Sequence, residues 1–410
     1  MSKPDETLLP EQRGLRDPVW LVLILGFIAF VVLSRYLLVA PDTVVTLRNN
    51  VLFETDSGVR LRYLTDPMVQ PHRLEFAQHP AFFLVWRPIT LALEWLLAPV
   101  AGAGAAVLSV QLLVCASAAV AAAFTWRLAR RHGASSAVAA ALTIVFILNT
   151  ASVLLVVPEH WAMAAAMMIA CFYAISAPGA LTPRRLFVIG VLAVLIAGTT
   201  VTNAAFGALL LATWLRRSPW RRAERAFYAL ALAGAIVMLI AIGPRLVRMP
   251  AVAGFFNLRL IEAPLQAAVY TVFAFVAPVI GPVPYRTFER AHVVLSYEPV
   301  SFAMYEPLQW LGVAAWVILF AGAAAAAVAN AKTRPWLLWL LGWCAFNLLF
   351  HNLWGDEFFL YSPHWSWALA AVVALGAARL RWPVIAAAAL PLVIAQLYTF
   401  TVIGQLLKAP

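Results

Sequence analysis

Long apolar runs alternate with short polar segments along this 410-residue chain. Runs of roughly 18 or more apolar residues predict helices that cross a membrane. We therefore predict an all-α, polytopic transmembrane helical protein with about 11 spans, within a range of 10–13. The predicted spans are 19–40, 105–126, 135–157, 160–176, 186–200, 203–215, 226–243, 308–329, 336–351, 364–378 and 384–404.

The first apolar run predicts an uncleaved membrane anchor. It extends from Val19 to Ala40, which is longer than the apolar core of a secretory signal, and no small-x-small cleavage site follows it. Composition agrees with a membrane protein, because 64% of the residues are hydrophobic and a soluble chain of this length could not bury them all. The three cysteines lie inside apolar runs, so a disulfide framework is not expected.

The net charge of +11 could suggest nucleic acid, but the basic residues follow the pattern of membrane loops. Short loops hold 14 of the 29 Lys and Arg residues, at 127–133, 182–185, 216–225, 330–335 and 378–382. Positive loops stay on the cytoplasmic side. We therefore predict a cytoplasmic amino terminus, an outer carboxyl terminus, contacts with membrane lipids and no nucleic-acid partner.

Placing every basic loop on one side limits the number of crossings. Segments 80–98 and 264–284 are apolar, yet a crossing at either would move the later basic loops outside. We predict that both lie at the outer interface or re-enter partway. The predicted organisation is a cytoplasmic tail at 1–18, a transmembrane module at 19–243 that includes an outer loop at 41–104, an outer loop at 244–306 and carboxyl-terminal helices at 307–410.

In this topology the outer face carries most of the ionisable chemistry. Thirteen of the 18 Asp and Glu residues and six of the seven His residues lie there. Acidic residues contribute little to membrane topology, so ligand binding or catalysis is the natural cause of this clustering. The sequence contains no Gly-rich phosphate loop, CxxC pair or HExxH, so nucleotide and zinc sites have no support.

The first outer loop contains the candidate base. Asp56 precedes Arg60 by four residues, so a helix here would place both on one face. A carboxylate can activate an acceptor hydroxyl, while an arginine can hold a phosphate leaving group. The alternative is an internal ion pair on a solvated loop.

Further candidates lie in the other outer segments. His79 could touch a phosphate or a sugar hydroxyl, or it could cap the next helix. Glu159 could orient an acceptor or a divalent cation, or it could favour a helix dipole. No other cofactor has sequence support. A helix through Glu357, Tyr361 and His364 would place all three on one face.

Several short motifs resemble the GT-C superfamily of integral-membrane glycosyltransferases, nearest to the protein O-mannosyltransferase and aminoarabinose-transferase branch. They are Asp56-Ser57-Gly58 with Arg60, "HPAF" at 79–82, "PEHW" at 158–161, "GTTVTN" at 198–203 and "EFFLYSPHW" at 357–365. The family often has two adjacent acids in the first loop and "HPPL", whereas this chain has Asp56 followed by Ser57, and "HPAF".

The resemblance implies a bacterial inner-membrane enzyme that moves a sugar from a polyprenyl-phosphate donor to a glycan, lipid or protein acceptor outside the cytoplasm. Asp56 would be the general base of an inverting hexosyl or pentosyl transfer, and Arg60 and Arg259 would stabilise the phosphate. The remaining candidates, His79, Glu159, Glu357, Tyr361 and His364, would bind substrate. The alternatives are a transporter or lipid flippase and a noncatalytic scaffold, and a surface-glycan ligase or polymerase would share the donor and face.

Overall fold

The computed structural model describes residues 18–38, 57–71, 73–179, 181–217, 280–286, 291–296, 305–353 and 358–407. The predicted span 226–243 and the residues Asp56, Arg259 and Glu357 lie outside these ranges.

The amino-terminal part of the described chain is a series of helices. These are α1 (Val19–Leu38), α2 (Ser57–Thr65), α3 (Arg73–Gln78), a π-helical turn (Phe82–Trp86), α4 (Arg87–Ala101), a 3-10 turn (Gly102–Gly104), α5 (Ala105–Arg131), α6 (Ser136–Ile147), α7 (Ser152–Leu155), α8 (Trp161–Ser176), α9 (Pro183–Thr199), a 3-10 turn (Val201–Asn203) and α10 (Ala204–Arg217).

The later part contains one antiparallel strand pair and four more helices. They are β1 (Ile280–Arg286), β2 (Ala291–Ser296), α11 (Pro307–Val328), α12 (Arg334–Leu353), a 3-10 turn (Phe358–Tyr361), α13 (Pro363–Gly376), a 3-10 turn (Ala377–Arg379) and α14 (Trp382–Leu406). Outside this strand pair, the regular structure of the described ranges is helical, which confirms the predicted all-α membrane class. The strands were not expected, and β1 includes the end of the predicted interfacial segment 264–284.

Four stretches of the described chain are long and apolar enough to cross a membrane: Val19–Leu37, Phe82–Arg131, Pro307–Val328 and Trp382–Leu406. Shorter apolar helices accompany them at Ser136–Ile147, Trp161–Ser176 and Val201–Leu210. Lipid offers no partner for backbone N–H and C=O groups, so apolar segments of this kind form helices. The number of complete crossings stays a prediction.

Helices α5 and α13 form the centre of the bundle. Every residue of α13 is buried, and α5 packs against α1, α4, α6, α8 and α13. Small side chains line the contact between α1 and α5, where a Cβ added at Gly26 would lie at an ordinary contact distance, 3.7 Å, from atoms of Ala119 and Ala122. Gly376 of α13 approaches the backbone of Ala323 in α11 even more closely.

The predicted interfacial segment 80–98 forms a π-helical turn followed by α4. This helix contains Pro99 and ends at Gly102, whose φ of +52° is a conformation that favours glycine. It packs against both α2 and α5, while Trp95 and Val100 are exposed. Exposed apolar side chains on a helix of a membrane protein are suited to contact with lipid.

The prediction of one continuous span at 135–157 is wrong. Helix α6 ends at Ile147, α7 is only four residues long, and the backbone is irregular again at 156–160. Every residue from 149 to 169 is nevertheless buried. Non-helical backbone at this depth is tolerated only where protein surrounds it or where it lines a cavity.

Candidate functional site

The irregular segment between α6 and α8 is fixed by polar side chains. Asn149 Nδ2 lies 3.0 Å from Ser152 Oγ, and that hydroxyl donates to the carbonyl oxygen of Phe146 at 3.1 Å. Thr150 Oγ1 also lies 2.9 Å from Gln396 Oε1 of α14. The hydroxyl of Ser152 thus gives the Phe146 carbonyl a partner where the helix ends, a few residues before Glu159 and His160.

Arg60 links two carboxylates in the interior. Its Nη1 atom donates to Glu75 of α3, and its Nε atom lies 3.4 Å from Oε2 of Glu159. The side chains of Arg60 and Glu159 are only 6% and 3% exposed. Because unpaired buried charges are strongly destabilising, these contacts hold α2, α3 and the turn before α8 together.

His160 extends this ionic group. Its Nδ1 atom lies 3.0 Å from Oε2 of Glu159, and its ring centroid lies 4.4 Å from that of His79. Both histidines are buried. The sequence "PEHW" therefore supplies two neighbouring site residues, although only Glu159 was among the candidates.

His79 is anchored to the end of α9. Its Nδ1 atom lies 2.8 Å from the backbone carbonyl oxygen of Thr199, and the hydroxyl of Thr199 accepts a hydrogen bond from Trp86 Nε1 at 3.2 Å. Burial, then the nearby His160 and Arg60, keep the pKa of His79 well below its ordinary value. The imidazole is therefore neutral near pH 7.

The remaining polar rings come from the end of α12, the 3-10 turn at Phe358–Tyr361 and the start of α13. The ring centroid of His364 lies 5.9 Å from that of His160 and 5.9 Å from that of His351. Tyr361 stacks on His351, with ring centroids 4.1 Å apart and planes inclined by 13°. Four histidines and a tyrosine thus form a continuous row beside the ion pairs of Arg60.

Two tryptophans fix the backbone at His364. The indole N–H groups of Trp343 and Trp367 both donate to its carbonyl oxygen, at 2.7 and 2.8 Å. Both ring nitrogens of His364, Nδ1 of His351 and the hydroxyl of Ser362 are buried without a hydrogen-bond partner within the described ranges. Such groups carry a desolvation cost that a polar ligand could relieve.

The site and the basic loops lie at opposite ends of the bundle. His160 directly precedes α8, whereas the Arg131 guanidinium lies over the ring of Tyr173 near the other end of that helix, 3.2 Å from its centroid. A helix of 16 residues spans about 24 Å. The structure also brings the basic loops at 127–133 and 378–382 together. A Cβ added at Gly133 would lie 3.6 Å from Cβ of Ala378.

The structure brings together five of the eight residues proposed from sequence, namely Arg60, His79, Glu159, Tyr361 and His364. Asp56 lies immediately before α2 in the sequence, and it falls outside the described residues, as do Arg259 and Glu357. The prediction of one helix through Tyr361 and His364 is wrong, because a 3-10 turn ends at Tyr361 and α13 begins at Pro363.

Sequence reasoning missed Glu75, His160 and His351. Each is a His or Glu in a segment assigned to the outer face. The signal that could have identified them is the clustering of acids and histidines on that face. Within the described ranges, no three His, Cys, Asp or Glu side chains are arranged to hold a metal ion. No catalytic step is assigned to the divalent cation considered from sequence.

The chain was compared with protein families, curated proteins and solved structures. No protein-family model matches the chain, and no curated protein sequence matches it. A solved structure that is similar is the archaeal oligosaccharyltransferase AglB from Archaeoglobus fulgidus, in complex with an inhibitory peptide and a dolichol-phosphate. The TM-score is 0.46 at 13% identity, over 94% of this chain and 56% of that one. This chain therefore spans little more than half the length of that protein.

Proposed function

We propose that this protein is an integral-membrane glycosyltransferase. It moves a sugar from a polyprenyl-phosphate donor to an acceptor hydroxyl or amine on the non-cytoplasmic face of a bacterial inner membrane. The observation that carries the proposal is the convergence of Arg60, His79, Glu159 and His364 on one buried site at the end of the bundle remote from the basic loops. The GT-C-like sequence motifs support the same reaction.

Asp56 is the proposed general base. Helix α2 begins at Ser57, the next residue, and Arg60 in its first turn is bound to Glu159. In the proposed step, Asp56 takes the proton of the acceptor hydroxyl. At the same time, the oxygen of that hydroxyl attacks the anomeric carbon of the donor. The bond to the phosphate oxygen breaks, its electron pair leaves with the lipid phosphate, and the anomeric configuration inverts.

Arg60 has a different proposed role from the one expected from sequence. Its guanidinium already contacts the carboxylates of Glu75 and Glu159, so it is poorly suited to neutralise a departing phosphate. We assign it to holding Glu159 in place. Arg259 is the cation proposed to stabilise the phosphate, while Glu159, His79, Glu357, Tyr361 and His364 bind sugar or acceptor.

The test uses membranes that contain the full-length protein and a polyprenyl-phosphate sugar with a labelled sugar group. We expect the wild type to release the sugar from the lipid and Asp56→Asn to reduce the rate by about 100-fold or more, the usual contribution of a general base. The matched control is Asp66→Asn, because Asp66 Oδ1 accepts an exposed bond from the N–H of Met68, which an amide oxygen can also accept.

Full activity of Asp56→Asn at normal expression would reject its role as base. Failure of the wild type to consume any hexosyl or pentosyl lipid phosphate would reject the glycosyltransferase itself. Mass spectrometry of lipids that co-purify with the protein provides an independent check, since a bound polyprenyl-phosphate species is expected.

One observation favours the alternative of a transporter or lipid flippase. The segment between α6 and α8 interrupts a predicted span and carries the buried Glu159, and broken helices with internal charges are typical of transporters. Proteoliposomes separate the two functions. A flippase would move the intact sugar lipid between leaflets without consuming it, whereas a transferase would convert it to free lipid phosphate.

A further inference from the structure

The tautomers of two site histidines follow from their partners. A backbone carbonyl oxygen can only accept a hydrogen bond, so the Nδ1 atom of His79, which lies 2.8 Å from the carbonyl oxygen of Thr199, carries the proton. The carboxylate of Glu159 is paired with the guanidinium of Arg60, and an ionised carboxylate also only accepts. Nδ1 of His160, 3.0 Å from that carboxylate, is therefore protonated as well.

The other nitrogen of each ring must then carry a lone pair. A neutral imidazole has one N–H and one acceptor nitrogen, so Nε2 of both His79 and His160 is an acceptor. The hydrogen bonds that place the two rings within the described part of the chain use Nδ1. The two rings are buried and their centroids are 4.4 Å apart, so the lone pairs belong to one small region.

Protonation would not readily turn these groups into donors. Both rings are buried, and the positive charge of Arg60 opposes a second positive charge next to it. The pair therefore accepts hydrogen bonds in its resting state. The phosphodiester of a polyprenyl-phosphate sugar has only acceptor oxygens and nothing to donate, whereas a sugar hydroxyl can donate.

We propose that His79 and His160 form a paired hydrogen-bond acceptor whose Nε2 atoms bind hydroxyl groups of an uncharged sugar. This inference rests on the proposed function and adds to it the chemistry of the group that this part of the site binds. It assigns His79 to sugar hydroxyls rather than to phosphate, and it adds His160 to the binding residues.

The direct test is nitrogen NMR of histidine-labelled full-length protein in lipid nanodiscs. We expect two neutral rings protonated at Nδ1, assigned by the loss of their signals in His79→Asn and His160→Asn. The ligand probes are methyl glycosides of neutral hexoses and pentoses, the phosphodiester dimethyl phosphate and Mg²⁺, each added separately. At least one glycoside should shift both Nε2 signals saturably, whereas dimethyl phosphate and Mg²⁺ should not.

The variants separate the two ring nitrogens. Asn keeps an amide donor near the Nδ1 position and loses the acceptor at Nε2, so each Asn variant should weaken glycoside binding roughly 3- to 10-fold, as for one lost hydrogen bond. His132→Asn is the control, because His132 is a histidine of the opposite, basic end of the bundle. It should leave the binding constant unchanged.

Three results would overturn the inference: Nε2–H tautomers, no Nε2 shift with any glycoside, or a shift produced by dimethyl phosphate or Mg²⁺. Turnover of the sugar lipid, measured on the same samples, distinguishes this inference from the proposed function. Histidine-dependent glycoside binding without turnover would retain the acceptor pair and reject the transferase. Turnover without any Nε2 shift would retain the transferase and reject the acceptor pair.

Discussion

The Nδ1 atom of His79 lies 2.8 Å from the carbonyl oxygen of Thr199, although 120 residues separate the two in sequence. A close contact beside this bond makes it possible. Gly198 faces Ala81, and a Cβ at position 198 would lie only 2.9 Å from Cβ of Ala81. The absence of a side chain at Gly198 thus allows the "HPAF" segment to reach the end of α9.

Gly198→Ala should disturb the site without touching an ionisable group. The added methyl must push Ala81 away, which moves His79 relative to Thr199, so we expect at least a tenfold loss of sugar-lipid turnover and destabilisation of about 1–3 kcal/mol. Turnover and the thermal midpoint in detergent would measure these effects.

The control is Gly190→Ala, eight residues earlier in the same helix, where an added Cβ meets open space. It should be neutral or stabilising by about 1 kcal/mol, because alanine favours a helix interior. Equal effects of the two substitutions would show that the contact with Ala81 is unimportant.

Arg60→Gln tests the buried ion pairs. Removing the guanidinium leaves Glu159 buried beside Glu75 with less compensating charge, and such losses typically cost about 3–5 kcal/mol. Arg62→Gln is the matched control, since Arg62 lies in the same helix and is exposed. We expect a large fall in the thermal midpoint for the first variant and little change for the second.

The double variant Arg60→Gln with Glu159→Gln measures the interaction energy of this ion pair. If the two side chains stabilise each other, the double variant should be more stable than the sum of the single effects implies. Strict additivity would indicate that the pair contributes no mutual stabilisation.

Gly376→Ala tests the packing of the central helix. A Cβ at this position would overlap the backbone carbonyl of Ala323, which cannot turn aside as a side chain can. We expect destabilisation at or above the top of the usual range for overpacking, about 3 kcal/mol, measured as lost folded protein after heating. Gly342→Ala, where an added Cβ meets open space, should have no such effect.

Acid should weaken the folded protein through its buried histidines. The pKa of His79 lies well below 6.5, and burial lowers the pKa of His132 to about 4. Below about pH 6.5 the unfolded chain therefore binds more protons than the folded chain, and stability falls as pH falls. Between pH 7 and pH 5, the thermal midpoint of His132→Asn should fall by less than that of the wild type. An identical loss would contradict this origin.

The sequence was informative about helices because the membrane leaves few alternatives. The apolar runs at 308–329 and 384–404 correspond closely to α11 and α14. The break in the predicted span 135–157 was harder to see, because most of that segment is apolar. Its signals were isolated polar residues such as Asn149 and Ser152, whose side chains bond within the turn.

The members of the site were partly predictable, whereas their pairing was not. Clustering of acids and histidines on one face identified Glu159 as a candidate, and the four-residue spacing from Asp56 identified Arg60. The pairing of Arg60 with Asp56 stays a prediction, but nothing in the sequence indicated the contacts of Arg60 with Glu75 and Glu159. Contacts between distant segments depend on how helices pack, and local spacing contains no record of that.

The short helix α6 has a consequence for how the protein is made. Its 12 residues extend about 18 Å, less than the roughly 30 Å of hydrocarbon in a bilayer. The irregular backbone that follows finds its partners in protein rather than in lipid. Thr150 in this region meets Gln396 of α14, which is made 246 residues later. We therefore expect the region from 136 to 176 to complete its polar contacts only after α14 has been made.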